Sequence, residues 1–325
     1  MLYKKTLQLS LLVLILCVSH LELSAQRTSG MDFLNIGPSA RSLGLSEAVT
    51  SLPLGASSIY FNPSALSFTQ KSSLEIDYTN WIVDSQNRHA SALLKNGVHT
   101  FGASLFSSSV EDIQARGNQA GPSQGTFSVE YISIAGAYAY RYKNFSAGIA
   151  LHYLNEVFLT NSASGYGFNA GLFGTFLDER LRVGLSLLNA GRMEKLDQVR
   201  TKLPTNLRVG ASAKAVTFNT PGENDFPITL SLFTDYVQPI NDSGDIQASA
   251  ITQDPDAPYL NLGFEAEGAD FLTVRMGYKT GNTTRPLTFG TGIVIDPVEV
   301  NYALVIFDTG YNPTHSLGLR YFFDW

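Results

Sequence analysis

From about residue 70 onward the chain sets an apolar residue at every second position, in segment after segment, and a period of two belongs to a sheet whose two faces meet different surroundings. In 145–153, FSAGIALHY, one face carries Phe145, Ala147, Ile149, Leu151 and Tyr153, and the other Ser146, Gly148, Ala150 and His152. The last segment alternates in the same way, with His315, Leu317, Leu319, Tyr321 and Phe323 against Ser316, Gly318, Arg320 and Phe322. About fourteen such segments follow one another, starting near Ser73, Arg88, Val98, Phe127, Phe145, Gly165, Leu181, Asn206, Ile228, Tyr259, Phe271, Leu287, Val298 and Thr314. Most run for about ten residues, the length a tilted strand needs to cross a bilayer. Helical spacing is hardly seen.

The connections between these segments alternate in length. Tight ones fall at Asn96-Gly97, a pair that tolerates positive φ and so makes a two-residue hairpin, at Lys143-Asn144, at 178–180, at 268–270 and at Asp296-Pro297. Longer polar stretches intervene at 82–87, 108–126, 159–164, 190–205, 239–258, 279–286 and 308–313. Only 217–227 is long where a short turn is expected. A transmembrane barrel has this asymmetry, with short periplasmic turns and long outer loops, and an even strand count leaves both termini periplasmic.

Composition fits. Charged residues make up 15% of the chain, against about 25% in soluble domains. Within the alternating segments most charges fall opposite the apolar face: Arg208 and Lys214 oppose Leu207, Val209 and Ala211, Glu299 opposes Val298, Val300 and Tyr302, and Arg320 opposes Leu319 and Tyr321. These side chains are expected to face a lumen. A bilayer gives an open sheet edge no hydrogen-bond partner, so strands with such an apolar face must close on themselves. The expected fold is therefore all-β, a transmembrane antiparallel β-barrel of about 14 strands over 71–325.

Residues 1–25 carry Lys4 and Lys5, an apolar run from Leu11 to Val18 and then Leu23-Ser24-Ala25, the layout of a cleavable signal peptide. Removing Lys4, Lys5 and Glu22 with it takes the formal charge from −6 to −7, a poor match for nucleic acid. Cys17, the single cysteine, lies in that leader, so the mature chain is expected to hold no disulfide and no cysteine metal site.

Residues 26–70 lack the alternation. They contain FLNIGPSARSLGLSEAV and then SSIYFNPSALS. Asn62-Pro63 makes a turn, because Pro fixes φ and Asn bonds its own backbone. Arg41, Gly44, Asn62, Pro63, Ala65 and Leu66 resemble the N-terminal pattern of the PorV/PorQ family, barrels of the FadL-like superfamily. Ser64 departs from the Ala common there, and Leu45-Ser46-Glu47 stands where a second Gly often follows. The resemblance implies that 26–70 fold inward as a plug or hatch. It also implies a role in type IX protein secretion or surface attachment of cargo, with secretion components and exported cargo as partners. The wider superfamily implies the alternative, uptake of a lipophilic small molecule, for which Phe33, Leu34, Ile36 and Phe61 are candidate pocket residues. At the other end Tyr321, Phe323 and Trp325 resemble the aromatic signal read by the barrel insertion machinery of the outer membrane, whose lipids would surround the protein.

Catalysis finds little support. His89, His99, His152 and His315 are far apart with no metal-ligand spacing, and no GxSxG elbow occurs. They are expected to be strand or lumen residues, with no catalytic residue and no cofactor. The stretch 239–258 with Asp242, Asp245, Asp254 and Asp256 matches no calcium motif and is expected to be a solvated loop.

Overall fold

A computed structural model of the protein describes residues 31–115, 123, 125–159, 161–196, 199–220, 226–240, 257–269, 271–281, 284–308 and 310–324. The leader, the acidic cluster Asp242 to Asp256 and Trp325 lie outside the described residues. The strands are β1 (Ser72–Asn80), β2 (Gln86–Asn96), β3 (His99–Gln114), β4 (Thr126–Tyr142), β5 (Phe145–Phe158), β6 (Asn161–Phe176), β7 (Leu181–Met193), β8 (Lys195–Leu196), β9 (Val199–Arg200), β10 (Asn206–Asn219), β11 (Pro227–Pro239), β12 (Tyr259–Gly268), β13 (Leu272–Lys279), β14 (Leu287–Ile295), β15 (Val298–Ile306) and β16 (Thr314–Phe323). All but β8 and β9 form one closed antiparallel barrel in chain order, sealed where Ser72 pairs with Phe323 and Asn80 with His315. Its 14 strands match the number of alternating segments in the sequence. The β8–β9 hairpin stands apart within the β7–β10 connection, because strands of two residues show no period.

The barrel faces sort as the alternation implies. In β5 the odd-numbered residues Phe145 to Tyr153 are exposed, while Ser146, Gly148, Ala150 and His152 are buried. Tyr142, Phe145, Phe176 and Tyr321 face outward near the short-turn rim, and Tyr78, Tyr166, Tyr236 and Tyr278 near the long-loop rim. Two aromatic girdles around an apolar band are what a bilayer selects. The charges Glu75, Arg208, Asp235, Glu265, Arg275, Glu299 and Arg320 are all buried in the lumen. Lys214 departs from the expectation: it lies at the short-turn end of β10 beside a register shift with β11, and is exposed. Of the histidines, His89 and His152 are buried inside, whereas His99 and His315 sit on the outer surface against Tyr138 and Tyr302.

Inside the barrel the described residues before β1, from Met31 on, form three 3-10 turns, Asp32–Asn35, Gly55–Tyr60 and Pro63–Phe68, and one short helix, Ala40–Leu43. Ser39 caps the helix through a reciprocal capping box with Ser42. Asn62 caps the last turn and Pro63 opens it, the position where a missing N–H costs nothing. Its contacts run from the long-loop half of the lumen, where Arg285 Nη2 donates to Asn35 O at 3.2 Å, to the short-turn rim, where Lys95 Nζ donates to Thr69 O.

Candidate functional site

The inner segment is held by its backbone. Asp235 Oδ2 accepts from Val49 N at 3.0 Å, Thr50 N at 2.9 Å, Thr50 Oγ1 at 2.6 Å and Arg208 Nη2 at 2.8 Å. Arg320 donates to Leu54 O at 2.7 Å while paired with Glu75 and Glu299, and Asp77 Oδ1 accepts from Ala40 N at 3.0 Å. Glu47, itself part of the segment, meets Lys279 Nζ at 2.5 Å and Arg285 Nη1 at 2.9 Å. Burial alone would raise the Glu47 carboxyl, but Arg285, Lys279 and Arg208 outweigh it and hold the group well below the usual carboxylate range.

Close approach is made possible by wall glycines at inward positions. A Cβ on Gly148 would sit 2.5 Å from Ser64 N and 2.6 Å from the Pro63 carbonyl carbon, and one on Gly171 would overlap Asn62 Oδ1. Gly290 meets Gly44 backbone to backbone, with its built Cβ 3.0 Å from the Gly44 Cα.

The residues of the sequence motif fall into two places. Asn62, Pro63, Ala65 and Leu66 dock on β3, β5 and β6: Asn62 Nδ2 donates to Leu172 O in the wall at 3.1 Å and to Thr50 O at 3.0 Å, and its Oδ1 accepts from Ser64 Oγ at 2.5 Å. Ala65 and Leu66 are fully buried, with Leu66 over Gly102. Arg41 and Gly44 lie across the lumen, Arg41 3.9 Å from Glu265 and Gly44 on β14. The candidate pocket residues Phe33, Leu34, Ile36 and Phe61 pack as core. Phe33 stacks on Tyr131 at 5.7 Å and meets Phe106 at 5.2 Å, and Phe61 lies under the Arg208 guanidinium. Leu34 and Ile36 pack in the same cluster. At the last strand the rings of Tyr321 and Phe323 stack at 6.4 Å.

An open apolar hollow lies on the bilayer face. A depression of about 560 Å³ is walled by Tyr138, Ile149, Leu172 and Leu185, and its floor includes Gly148 and Gly171. Those two glycines are the ones against which Asn62 and Ser64 rest, so the inner segment lies directly behind the floor of the depression. Beside it β6 and β7 slip register between Phe168 and Ala170, and Asn169 and Asn189 turn inward there, with Asn169 Nδ2 donating to Ile59 O at 2.8 Å.

Folding also brings together groups that the sequence keeps apart. His89 Nδ1 lies 3.1 Å from Asp77 Oδ2, and His89 Nε2 3.1 Å from Ser104 Oγ. That spacing is a charge-relay geometry, but Ser104 is buried and also donates to the Tyr60 hydroxyl at 3.1 Å. Burial pushes the Tyr60 hydroxyl up to about 12, so it stays a neutral hydrogen-bonding group.

A closed barrel of 14 strands with an apolar, twice-girdled exterior and a segment folded into its lumen is an outer-membrane barrel. No family model and no curated protein matches the chain. Among solved structures it is similar to CymD, a monoaromatic hydrocarbon channel, at 12% identity with a TM-score of 0.58 over 92% of this chain and 100% of that one. It is also similar to the P. putida toluene transporter TodX, at 13% identity with a TM-score of 0.52 over 87% of this chain and 98% of that one. At these identities what is shared is the fold.

Proposed function

We propose that the protein is a non-enzymatic outer-membrane channel for a small hydrophobic molecule, which leaves the lumen sideways through the barrel wall behind Asn62. The observation that carries this reading is the apolar depression on the bilayer face, whose lining includes Gly148 and Gly171, the glycines on whose inner side Ser64 and Asn62 rest. A lipophile gains nothing from an aqueous pore, whereas a lateral path delivers it from apolar lumen to apolar bilayer. Its fold neighbours, described as a monoaromatic hydrocarbon channel and a toluene transporter, support the same reading. The secretion role rests on the motif resemblance alone; deletion that abolishes surface display of exported cargo and spares lipophile uptake would favour it.

Asn62 is the latch on this path. Asn62→Ala removes two hydrogen bonds that tie the wall at Leu172 to the segment at Thr50, each worth about 1 kcal/mol. Uptake of radiolabelled toluene by vesicles is expected to rise several-fold with the barrel still folded. Unchanged uptake with normal insertion would remove Asn62 from the path.

The buried Asp77–His89–Ser104 row is read as structural. Incubation with a fluorophosphonate probe is expected to leave Ser104 unlabelled, and labelling that vanishes in Ser104→Ala would make the chain a hydrolase.

A further inference from the structure

The hydrogen-bonded row begun by Asp77, His89 and Ser104 continues across the lumen. Ser104 donates to the Tyr60 hydroxyl at 3.1 Å, Tyr60 donates to Ser133 Oγ at 3.5 Å, and Ser133 Oγ lies 3.1 Å from His152 Nδ1. The row ends there: His152 is 3% exposed, and among the described residues its Nε2 has no hydrogen-bond partner. A buried ring nitrogen without a partner carries the full desolvation cost of its lone pair or N–H until something bonds it.

The surroundings say what would satisfy it. The residues paired with His152 on either side are Ala135 and Gly167, which leave the wall beside the ring low. A Cβ on Gly167 would first meet the apolar ends of Leu203 at 3.4 Å and Leu154 at 3.7 Å. Aromatic rings border it on one side: Tyr60 stands edge-on to His152 at 5.4 Å and to Phe106 at 5.4 Å. Leu154 and then Glu156 follow on the same inward face of β5, and none of the side chains named beside the ring is a cation, so a carboxylate brought to His152 would lose its hydration without a counter-charge. A neutral hydroxyl suits the site in either tautomer, because it accepts from an Nε2–H and donates to a bare Nε2.

We infer that His152 is the polar anchor of a lumenal site for a small aromatic molecule bearing one uncharged hydroxyl. This rests on the channel reading and specifies its substrate class. The test titrates folded protein in detergent with p-cresol and p-xylene, which differ by a hydroxyl for a methyl, each corrected for partition into empty micelles. Wild type is expected to bind p-cresol about tenfold more tightly, the worth of one hydrogen bond. His152→Phe is expected to equalise the two, and His152→Gln to recover part of the preference, with heat-modifiable gel mobility confirming folded barrels. Equal binding in wild type, or a preference that survives in His152→Phe, overturns the inference. If p-xylene binds and crosses vesicle walls without any p-cresol preference, only the role of His152 falls; if neither probe binds nor crosses, the channel reading falls with it.

Discussion

In Asp235→Ala the inner segment is expected to come away from the wall while the barrel stays closed. One carboxylate oxygen takes four hydrogen bonds, from Val49 N, Thr50 N, Thr50 Oγ1 and Arg208 Nη2. Removing it strands the Arg208 guanidinium, 5% exposed, without its counter-charge. Breaking a buried pair from one side costs about 3–5 kcal/mol, and the barrel ladder, whose hydrogen bonds are untouched, is the stronger of the two units. The loss therefore falls on 47–52. Limited trypsin digestion reads it out, because Arg41 lies in the short helix Ala40–Leu43: wild type is expected to resist cleavage there and Asp235→Ala to be cut at least tenfold faster, since 1.4 kcal/mol is already a factor of ten. Asp235→Leu combined with Arg208→Met, which removes both charges, is expected to restore much of the protection. Wild-type resistance in Asp235→Ala would show that the segment is held elsewhere.

How far this was legible in the sequence follows from which interactions are local. The barrel strands announce themselves because each carries its own record of lipid on one face and lumen on the other, so β5 and β16 can be read residue by residue. The tight turns are equally local, as Asn96-Gly97 shows. The docking of the inner segment is not. Asp235 meets Val49 and Thr50 across more than 180 positions of chain, and nothing near either marks the other. A weaker signal was available: Gly148, Gly171 and Gly290 all occupy inward positions, where a missing side chain implies something pressed against the wall. The lumenal row needed register as well as parity. Asp77 and His89 are direct cross-strand partners on β1 and β2, a pairing that periodicity cannot supply. Phe33, Leu34, Ile36 and Phe61 are legible as apolar, but that Phe33 meets Phe106 on β3 and Tyr131 on β4 depends on how the segment docks, which no local pattern carries.

Gly148→Val is expected to give the largest change in permeability. Real Cβ atoms do not approach backbone within 3.0 Å, and here one would lie 2.5 Å from Ser64 N and 2.6 Å from the Pro63 carbonyl carbon. Neither neighbour is a flexible side-chain tip, so the whole Pro63–Phe68 turn must lift. Asn62 goes with it and its bond to Leu172 O is lost. Overpacking of this kind costs about 1–3 kcal/mol, and a shift of that size in the docked-to-undocked balance multiplies the open population by about fivefold to more than a hundredfold. Lifting the turn exposes the floor of the bilayer-side depression, so the variant is expected to admit a hydrophobic antibiotic that wild type excludes, measured as growth sensitivity and as dye entry into vesicles. Gly136→Val is the control. Gly136 faces outward on the next strand, and a Cβ there meets nothing within 4 Å, so it is expected to fold and exclude the antibiotic as wild type does. Equal sensitivity of the two variants would trace the effect to general weakening of the barrel, and a silent Gly148→Val would mean that the wall behind Asn62 is not the path.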